Sequence, residues 1–406
     1  MNTIKLSILL LTLGATCIRA DSLPLYLEDM IAEAILNNPE IRALRSFQAA
    51  AHTRTSVLRQ MPDPQLGVEF DGNGRVYSIT QQIPFPGKLS AGRTVARTKT
   101  EEYVYLIADK KLAITTQVKK TYALLYRNHM NVKVLERSVA YLEQIYLVSS
   151  RQYAVGAAAQ AHVLRTQVEL ARAEEQLRVQ KDEVSIAEAQ LNTLLDRPVN
   201  ARLGVPVSID IEVSPLEYDS LIDLARRSQP YLQAMRQEVR VAEQQVSAAR
   251  QHYFPDVMLK MMQIERDMDV SDQKFMFGIS VPLWFIGKQN ELVREARARL
   301  DGATARYHAA ENEEWLRIYE AYVQVESRSR TVRLLEDAIL PQAEANLRAA
   351  LIAYETNQMN FQNLLDSEKI LISSELEYYR AQAELFSAAA DLEKAVGSQL
   401  VVKNKE

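Results

Sequence analysis

The sequence contains two copies of one long pattern, and this duplication restricts the fold more than any other feature. Residues 25–64 lie over residues 216–255 at a constant offset of 191, which places Pro39 on Pro230. Farther along the chain the offset settles at about 201. Such a length indicates one duplicated structural unit, because solenoids and propellers repeat every 20 to 50 residues or so. The sequence therefore predicts a chain with internal pseudo-symmetry.

The composition favours long helices. Only 12 glycines and 13 prolines occur among 406 residues, and Ala, Leu, Glu, Gln and Arg are abundant. The net charge is −4 with both signs mixed along the chain, so nothing indicates a nucleic-acid partner.

Residues 1–20 have the pattern of a secretory signal peptide, with Lys5 in the head and an apolar core at 6–13. Ala20 before Asp21 is the expected cleavage point. Cys17 is the only cysteine, and a lipoprotein would be cleaved just before it, which is the alternative. On the main interpretation the mature chain has no thiol chemistry.

Each copy carries two long helical segments. Residues 93–155 contain no Gly and no Pro, and a continuous helix there would be roughly 95 Å long. Apolar residues at alternating steps of three and four predict a coiled-coil seam, and 157–195 supplies the antiparallel partner after a reversal at Gly156. The second copy repeats this plan at 303–354 and 361–396.

Two further features modify the helices of the second copy. The reversal lies near Asn357, and Pro341 should kink the first of the two helices, since proline removes one backbone hydrogen bond.

A strand pair precedes the helices of each copy. In the first copy, 65–70 alternates apolar and polar residues, the turn residues 71–74 follow, and 76–83 returns. The second copy has strands at 257–264 and 275–283 around a polar loop. Lone hairpins are marginal in water, and four strands are too few to close a barrel, so the sequence predicts an oligomer.

These features together resemble the TolC-type outer-membrane efflux factors, the outer-membrane components of tripartite efflux pumps. The residues that carry the resemblance follow the second strands, form the helix reversals, or end a dipeptide in proline: Ile83 to Lys88, Val281 to Lys288, Tyr153 to Gly156, Tyr354 to Asn357, Pro39 and Pro230. The short first hairpin loop and the Ile83 to Lys88 stretch look more like the heavy-metal cobalt–zinc–cadmium branch than the drug-exporting branch.

The resemblance implies a fold that is mainly α with a small β part. In it, a duplicated hairpin-plus-long-helix repeat builds a trimeric 12-stranded outer-membrane β-barrel, continued by a 12-helix periplasmic α-barrel of antiparallel coiled coils. It also implies contact with outer-membrane lipid, a periplasmic adaptor protein and an inner-membrane efflux transporter. The expected divisions are the signal peptide 1–20, a first repeat 21–198 with hairpin 65–85 and a tip near 156, a connector 199–215, a second repeat 216–401 with hairpin 257–283 and a tip near 357, and a tail 402–406.

No catalytic, cofactor or metal-binding motif stands out. The five histidines are scattered and none lies at metal-ligand spacing from another. Phosphate-binding glycine loops and the HExxH pattern are missing from the sequence. We expect a protein that is not an enzyme and needs no cofactor.

The tips are the expected gate. In the family, each returning helix begins with an acidic residue that faces the lumen, but this chain has His162 and Asn363 at those positions. Asp366 follows one turn later, and Arg165 is its equivalent in the first copy, so the two could pair within or between chains. An alternative is that His162 and Asn363 only cap or solvate the helix starts.

Adaptor docking is expected at the same tips, where small residues permit a close approach. The candidates are Tyr153, Gly156, Ala157, Tyr354 and Asn357. A tight helix reversal alone would also require small side chains there.

We therefore expect a passive channel of the outer membrane with a long periplasmic extension, which carries substrate outward and is gated at the helix tips. One alternative is a type I secretion conduit for proteins, which has the same architecture. A less favoured one is a periplasmic coiled-coil scaffold or adaptor without a pore.

Overall fold

The computed structural model describes residues 24–71, 74–209, 212–213, 217–266, 269–356, 358–400 and 402–403. The predicted signal peptide, Cys17 and Asn357 lie outside the described residues.

Nine helices are found in this part of the chain. They are α1 (Leu27–Asn37), α2 (Pro39–Val57), α3 (Pro86–Ala154), α4 (Gln160–Leu194), α5 (Tyr218–Ser228), α6 (Pro230–Arg250), α7 (Asn290–Leu334), α8 (Leu340–Glu355) and α9 (Phe361–Val396). Two π turns, at Phe285–Gln289 and Leu335–Ile339, precede α7 and α8.

The strands are shorter and lie between the helices. They are β1 (Pro24–Leu25), β2 (Gln65–Asp71), β3 (Gly74–Ile83), β4 (Val205–Pro206), β5 (Glu212–Val213), β6 (Asp256–Arg266), β7 (Asp269–Ser280) and β8 (Val402–Lys403).

The duplication seen in the sequence is present in the structure. Helices α1 and α2 correspond to α5 and α6, and α3 and α4 correspond to the α7–α8 pair and α9. Pro39 and Pro230 each occupy the first turn of a helix, where a missing N–H costs nothing. The preceding Asn38 and Gln229 both accept backbone hydrogen bonds with their side chains.

The four central strands form one antiparallel sheet in the order β2-β3-β6-β7. The expectation of two separate hairpins is corrected here, because β3 pairs with β6 and Ile83 lies opposite Val257. The second hairpin also differs from its predicted bounds. Its strands continue through the predicted polar loop, with Arg266 opposite Asp269, because cross-strand pairing satisfies the backbone groups there, but β7 ends at Ser280.

The long helices confirm the predicted pair of antiparallel hairpins. They lie side by side in the order α4, α3, α9 and α7–α8. Helix α9 has the predicted bounds, whereas α3 and α7 begin earlier than expected. Regular α-helix is interrupted by the π turn just before α8, whose second residue is Pro341.

A small layer packs against α3 on one side of this helical array. The Tyr122 hydroxyl lies 2.7 Å from the Leu25 carbonyl oxygen and 3.1 Å from that of Val207. Burial raises the pKa of Tyr122 to about 12, so the hydroxyl remains a donor. The connector 199–215 contains two short strands, β4 and β5, which pair with β1 and β8.

None of the helices in the described parts of the chain is both long and apolar enough to cross a membrane.

Candidate functional site

The two helix reversals have different local chemistry. Gly156 has φ of +76°, a left-handed conformation that suits a residue without Cβ, and it ends the turn after α3. Helix α4 then begins after Ala159 without a side-chain cap. In the second copy, Asn360 Oδ1 accepts the backbone N–H of Asn363 at 2.9 Å and caps α9.

The two tips of the chain pack on each other. The His162 ring stacks on Phe361 with centroids 4.8 Å apart and an interplanar angle of 10°. Tyr354 packs on the same ring at 6.0 Å, and its hydroxyl donates to Gln152 Oε1 at 3.0 Å. Phe361 is only 3% exposed, so the start of α9 is anchored in a contact between the two hairpins, which we call the tip cluster.

The tip cluster changes the roles expected for Tyr354 and His162. Tyr354 lies inside the chain at 6% exposure, which leaves its ring no free surface for docking. The predicted alternative role of His162, solvating a helix start, does not fit its stacking on Phe361, and its Nδ1 atom is buried without a hydrogen-bond partner.

The predicted pairing of Arg165 with Asp366 does not occur within the chain. Asp366 accepts a hydrogen bond from Gln362 at 2.9 Å instead. Arg165 is exposed and enters no ion pair among the described residues. Asn363 is exposed and its backbone N–H donates to Asn360, so Asn360 and not Asn363 caps the start of α9.

An ion pair that the sequence did not reveal lies one turn farther from the tips. Lys369 Nζ lies 3.0 Å from Glu169, which is 14% exposed at its side chain. Arg172 lies 3.7 Å from the same carboxylate. The pair joins α4 to α9 across α3, so it ties the two hairpins of the chain together. The only sequence signal was opposite charge at near-equivalent positions of the two copies.

Farther from the tips, the seam between α3 and α9 is unusually polar. Glu368, Glu375 and Gln382 recur every seven residues on α9 and are all buried. Ser138 Oγ donates to Glu368 at 2.6 Å, and Arg137 donates to Glu375 at 2.8 Å. Burial raises the pKa of both glutamates, although these donors oppose the shift.

Two more ion pairs continue this seam toward the sheet. Lys120 lies 2.8 Å from Asp391, and Lys119 pairs with Glu393, with both side chains largely buried. Polar groups buried at single positions of a coiled coil fix its register. The seam therefore sets how the first helical hairpin lies against the second.

A long groove runs along the helical array and is lined by all four helices. Its charged residues are balanced in sign: Arg127, Arg328, Arg380, Glu175, Glu377 and Glu384. The groove therefore offers a surface without net charge.

No group of metal-ligating side chains is found among the described residues. The described residues provide a four-stranded sheet, a charge-balanced groove along the helices and two helix reversals that pack on each other.

Comparison with known proteins agrees with this architecture. Residues 221–399 match the sequence model of the family described as outer membrane efflux protein. The chain is 21% identical over 380 residues to the cobalt-zinc-cadmium resistance protein CzcC of Cupriavidus metallidurans, covering 92% of this chain and 90% of that protein.

Solved structures share the fold of nearly the whole chain. CusC, described in a study of folding and transmembrane channel formation, has a TM-score of 0.78 at 16% identity, covering 92% of each chain. The outer membrane protein VceC of Vibrio cholerae has a TM-score of 0.76 at 19% identity, covering 92% of this chain and 96% of that one. The resemblance to the TolC-type outer-membrane efflux factors drawn from the sequence is therefore confirmed: the second half of the chain matches the outer membrane efflux protein family, and nearly the whole chain has the fold of solved outer-membrane channel proteins.

Proposed function

We propose that this protein is the passive outer-membrane channel of a tripartite efflux pump, assembled as a homotrimer and gated at the periplasmic helix tips. The observation that carries the proposal is a sheet with an exposed apolar face, continued by four long helices that line a charge-balanced groove.

The register of the sheet separates the two faces. Directly paired residues share a face, and one face carries ten large apolar side chains: Leu66, Val68, Phe70, Tyr77, Ile79, Leu259, Met261, Phe275, Phe277 and Ile279. The other face is mixed and carries the polar residues Glu69, Ser78, Thr80, Lys260 and Lys274 beside Val76, Met258, Met262, Ile264 and Met276. An apolar band outside and a polar lumen inside is the pattern of a transmembrane barrel.

In a single chain, the sheet and the layer of long helices each have two edges without a neighbour. Strands β2 and β7 each have one unpaired edge, and such edges must be paired, covered or removed by closure. The outer helices carry exposed apolar residues on their free sides: Leu164, Val168, Val179 and Ile186 on α4, and Leu316, Tyr319, Val323 and Leu334 on α7. Three copies joined head to tail would close both layers, into 12 strands and 12 helices.

The tips would form the gate because the hairpins converge there and are tied together. The tip cluster and the Glu169–Lys369 pair hold the two hairpins of each chain in one arrangement. Opening requires these contacts to loosen. Of the docking candidates, Tyr153, Gly156 and Ala157 are exposed and accessible to an adaptor.

We infer that the cargo is a metal ion handled by the partner pump. The support is the likeness to a cobalt-zinc-cadmium resistance protein across nearly the full length. A channel wall without a metal-ligating cluster in the described residues fits a duct that passes its cargo without holding it.

A deletion strain tests the proposal directly. We expect growth to become sensitive to cobalt, zinc or cadmium, with restoration by the plasmid-borne gene. Sensitivity to hydrophobic drugs alone would overturn the metal assignment, and failure to export a protein substrate would favour a type I secretion conduit. A protein that fractionates away from the outer membrane as a monomer would refute the channel itself.

A further inference from the structure

The junction between β3 and α3 is closed by residues of the second copy. Asp256 accepts the Phe85 backbone N–H at 2.8 Å and Lys88 Nζ at 2.7 Å. The Phe85 ring stacks on Phe254 with centroids 4.4 Å apart and an interplanar angle of 13°. Strand β6, which pairs with β3, therefore also fixes the direction in which α3 leaves the sheet.

The registers of the two hairpins identify the equivalent junction in the second copy. Leu66 lies opposite Ile79, and Val257 lies opposite Ile279. Since Val257 is the equivalent of Leu66 at the offset of 191, residue 79 of β3 corresponds to residue 279 of β7. The same step of 200 places Lys88 on Lys288 and Gly87 on Gly287. The two junctions thus match residue by residue at their helix starts.

The second junction is open where the first is closed. Leu283, Trp284 and Ile286 are 74%, 79% and 71% exposed. Lys288 is exposed and enters no ion pair within the described part of the chain. The second junction therefore has an exposed apolar segment and a cation without an ion pair among the described residues, where the first junction has a stacked ring pair and an ion pair.

The lack of a further pairing strand also explains why β7 ends at Ser280. The last residues of β3, 81–83, pair only with β6, because β2 begins at Gln65 opposite Thr80. The equivalent residues 281–283 would need a strand on their other side, and the chain supplies none. They are therefore irregular, although the sequence pattern predicts strand up to Leu283.

The start of β6 closes the first junction, and its equivalent in the repeat is the start of β2. Asp256 and Val257 have Gln65 and Leu66 as their equivalents. The edge of β2 away from β3 is unpaired, and Leu66 is 81% exposed. Gln65 offers a carboxamide oxygen where Asp256 offers a carboxylate, and Asp63 lies two residues earlier. This segment cannot reach the far edge of its own sheet.

We propose that β2 of the next copy of this chain completes the second junction, with Leu66 opposite Leu283 and with residues 281–283 becoming strand only on assembly. Lys288 and the Phe285 backbone N–H then take the Gln65 side chain, with Asp63 as the neighbouring carboxylate. This inference rests on the proposed channel and specifies the contact that joins its copies.

Paired cysteines test the register. Directly opposed residues of antiparallel strands have Cα atoms about 4.5–5.5 Å apart, within the range of roughly 4.4–6.8 Å that a disulfide spans. In detergent-extracted protein oxidised with copper phenanthroline, we expect Leu66→Cys/Leu283→Cys to give covalent dimers and trimers, and no larger species, that vanish on reduction.

Two matched pairs serve as controls. Ile83→Cys/Val257→Cys occupies the equivalent positions within one chain and should form a disulfide without intermolecular bands. Gln65→Cys/Leu283→Cys is displaced by one residue onto the opposite face and should cross-link at least tenfold less. The single variants report any background from Cys17.

The register proposal is overturned if the Leu66 and Leu283 pair gives no intermolecular product while the in-chain pair closes and native trimers persist. Preferential cross-linking of the displaced pair would overturn it as well. Both results would leave the channel proposal standing, whereas the absence of any oligomer in the unsubstituted protein would refute the channel and this interface together.

Discussion

The first copy builds its long helix without a break, whereas the second copy builds the equivalent helix in two pieces. Helix α3 runs for 69 residues, while α7 and α8 have 45 and 16 residues and are joined by a π turn. Pro341 cannot donate to the helix ladder, and its equivalent in α3 is Ala140. A wide turn of this kind is rare and often marks a functional position. A single proline thus accompanies an interruption in the long helix of the second repeat, whereas the equivalent helix of the first repeat is continuous.

The returning helices differ in a second way. Helix α9 buries 20 of its side chains because it lies between α3 and α7–α8, whereas α4 buries five because it packs mainly on α3. The two helices have equivalent sequences in the repeat but different neighbours. Helix α9 is thus fixed within the chain on both sides, whereas α4 would gain its second neighbour from another chain of the proposed trimer.

The tip cluster offers the sharpest test of this difference. Phe361→Ala removes a ring that is 3% exposed and should lower the local stability of the tips by about 3–5 kcal/mol. Its first-copy equivalent, Gln160→Ala, changes an exposed residue and should stay within about 0.5 kcal/mol. Amide hydrogen exchange at the starts of α4 and α9 measures both. Equal effects would show that the two tips are anchored alike.

The sheet should behave symmetrically, unlike the tips. Val68→Arg in the first hairpin and Phe277→Arg in the second both place a charge on the apolar face, at a cost of roughly 2–4 kcal/mol at mid-bilayer. Ser78→Arg on the opposite, mixed face of the sheet is the control and should change little. Denaturant unfolding in lipid vesicles gives these free energies. A cost for Ser78→Arg equal to the others would contradict the assignment of the faces.

Local patterns were enough to predict the elements that depend on the chain's own neighbours. The bounds of α9, the reversal at Gly156 and the interruption before Pro341 all follow from periodicity and backbone chemistry. The pairing of β3 with β6 could not be predicted, because residues so far apart meet only in the folded sheet. The end of β7 at Ser280 could not be predicted either, because it reflects the lack of a further pairing strand among the described residues.

The candidate site was located in the sequence but its contacts were not. His162 was singled out for its place in the repeat, yet its partner is Phe361, which no pattern marked. The Glu169–Lys369 pair replaced the expected Arg165–Asp366 pair because helix rotation decides which charges meet. A shift of one turn on each helix is beyond what repeat alignment can resolve.

The α3–α9 seam predicts a pH effect with an unusual sign. Burial raises the pKa of Glu368 above its ordinary value of 4.5, so the folded state binds a proton more readily than the unfolded state does. This contribution to stability is fully present below about pH 4.5 and is lost as pH rises through the raised pKa. The groups that face Glu368 are Ser138 on α3, Glu169 on α4 and Lys369 beside it.

Glu368→Gln should therefore flatten the pH dependence of unfolding above pH 4.5 while keeping the contact with Ser138. Chemical denaturation followed by circular dichroism between about pH 4.5 and pH 7 measures the effect. The comparison is Glu174→Gln, an exposed carboxylate on the edge helix α4, for which we expect the dependence to persist. An unchanged slope in Glu368→Gln would place the titrating groups elsewhere.

The smallest expected effect concerns the ion pairs near the tips, where the two internal repeats of one chain meet across α3. Exposed ion pairs are worth only about 0–1 kcal/mol each. Every chain of the proposed trimer would repeat the contact, however, and a shift of a few kcal/mol moves an equilibrium between closed and open tips measurably. Lys369→Ala breaks the observed contact with Glu169 and should raise single-channel conductance in planar bilayers. Asp366→Ala and Arg165→Ala should raise it less, because the two residues do not pair within the chain. If instead Lys369→Ala leaves conductance unchanged while both other variants raise it, the gate lies one turn nearer the tips, and Arg165 pairs with Asp366 of a neighbouring copy.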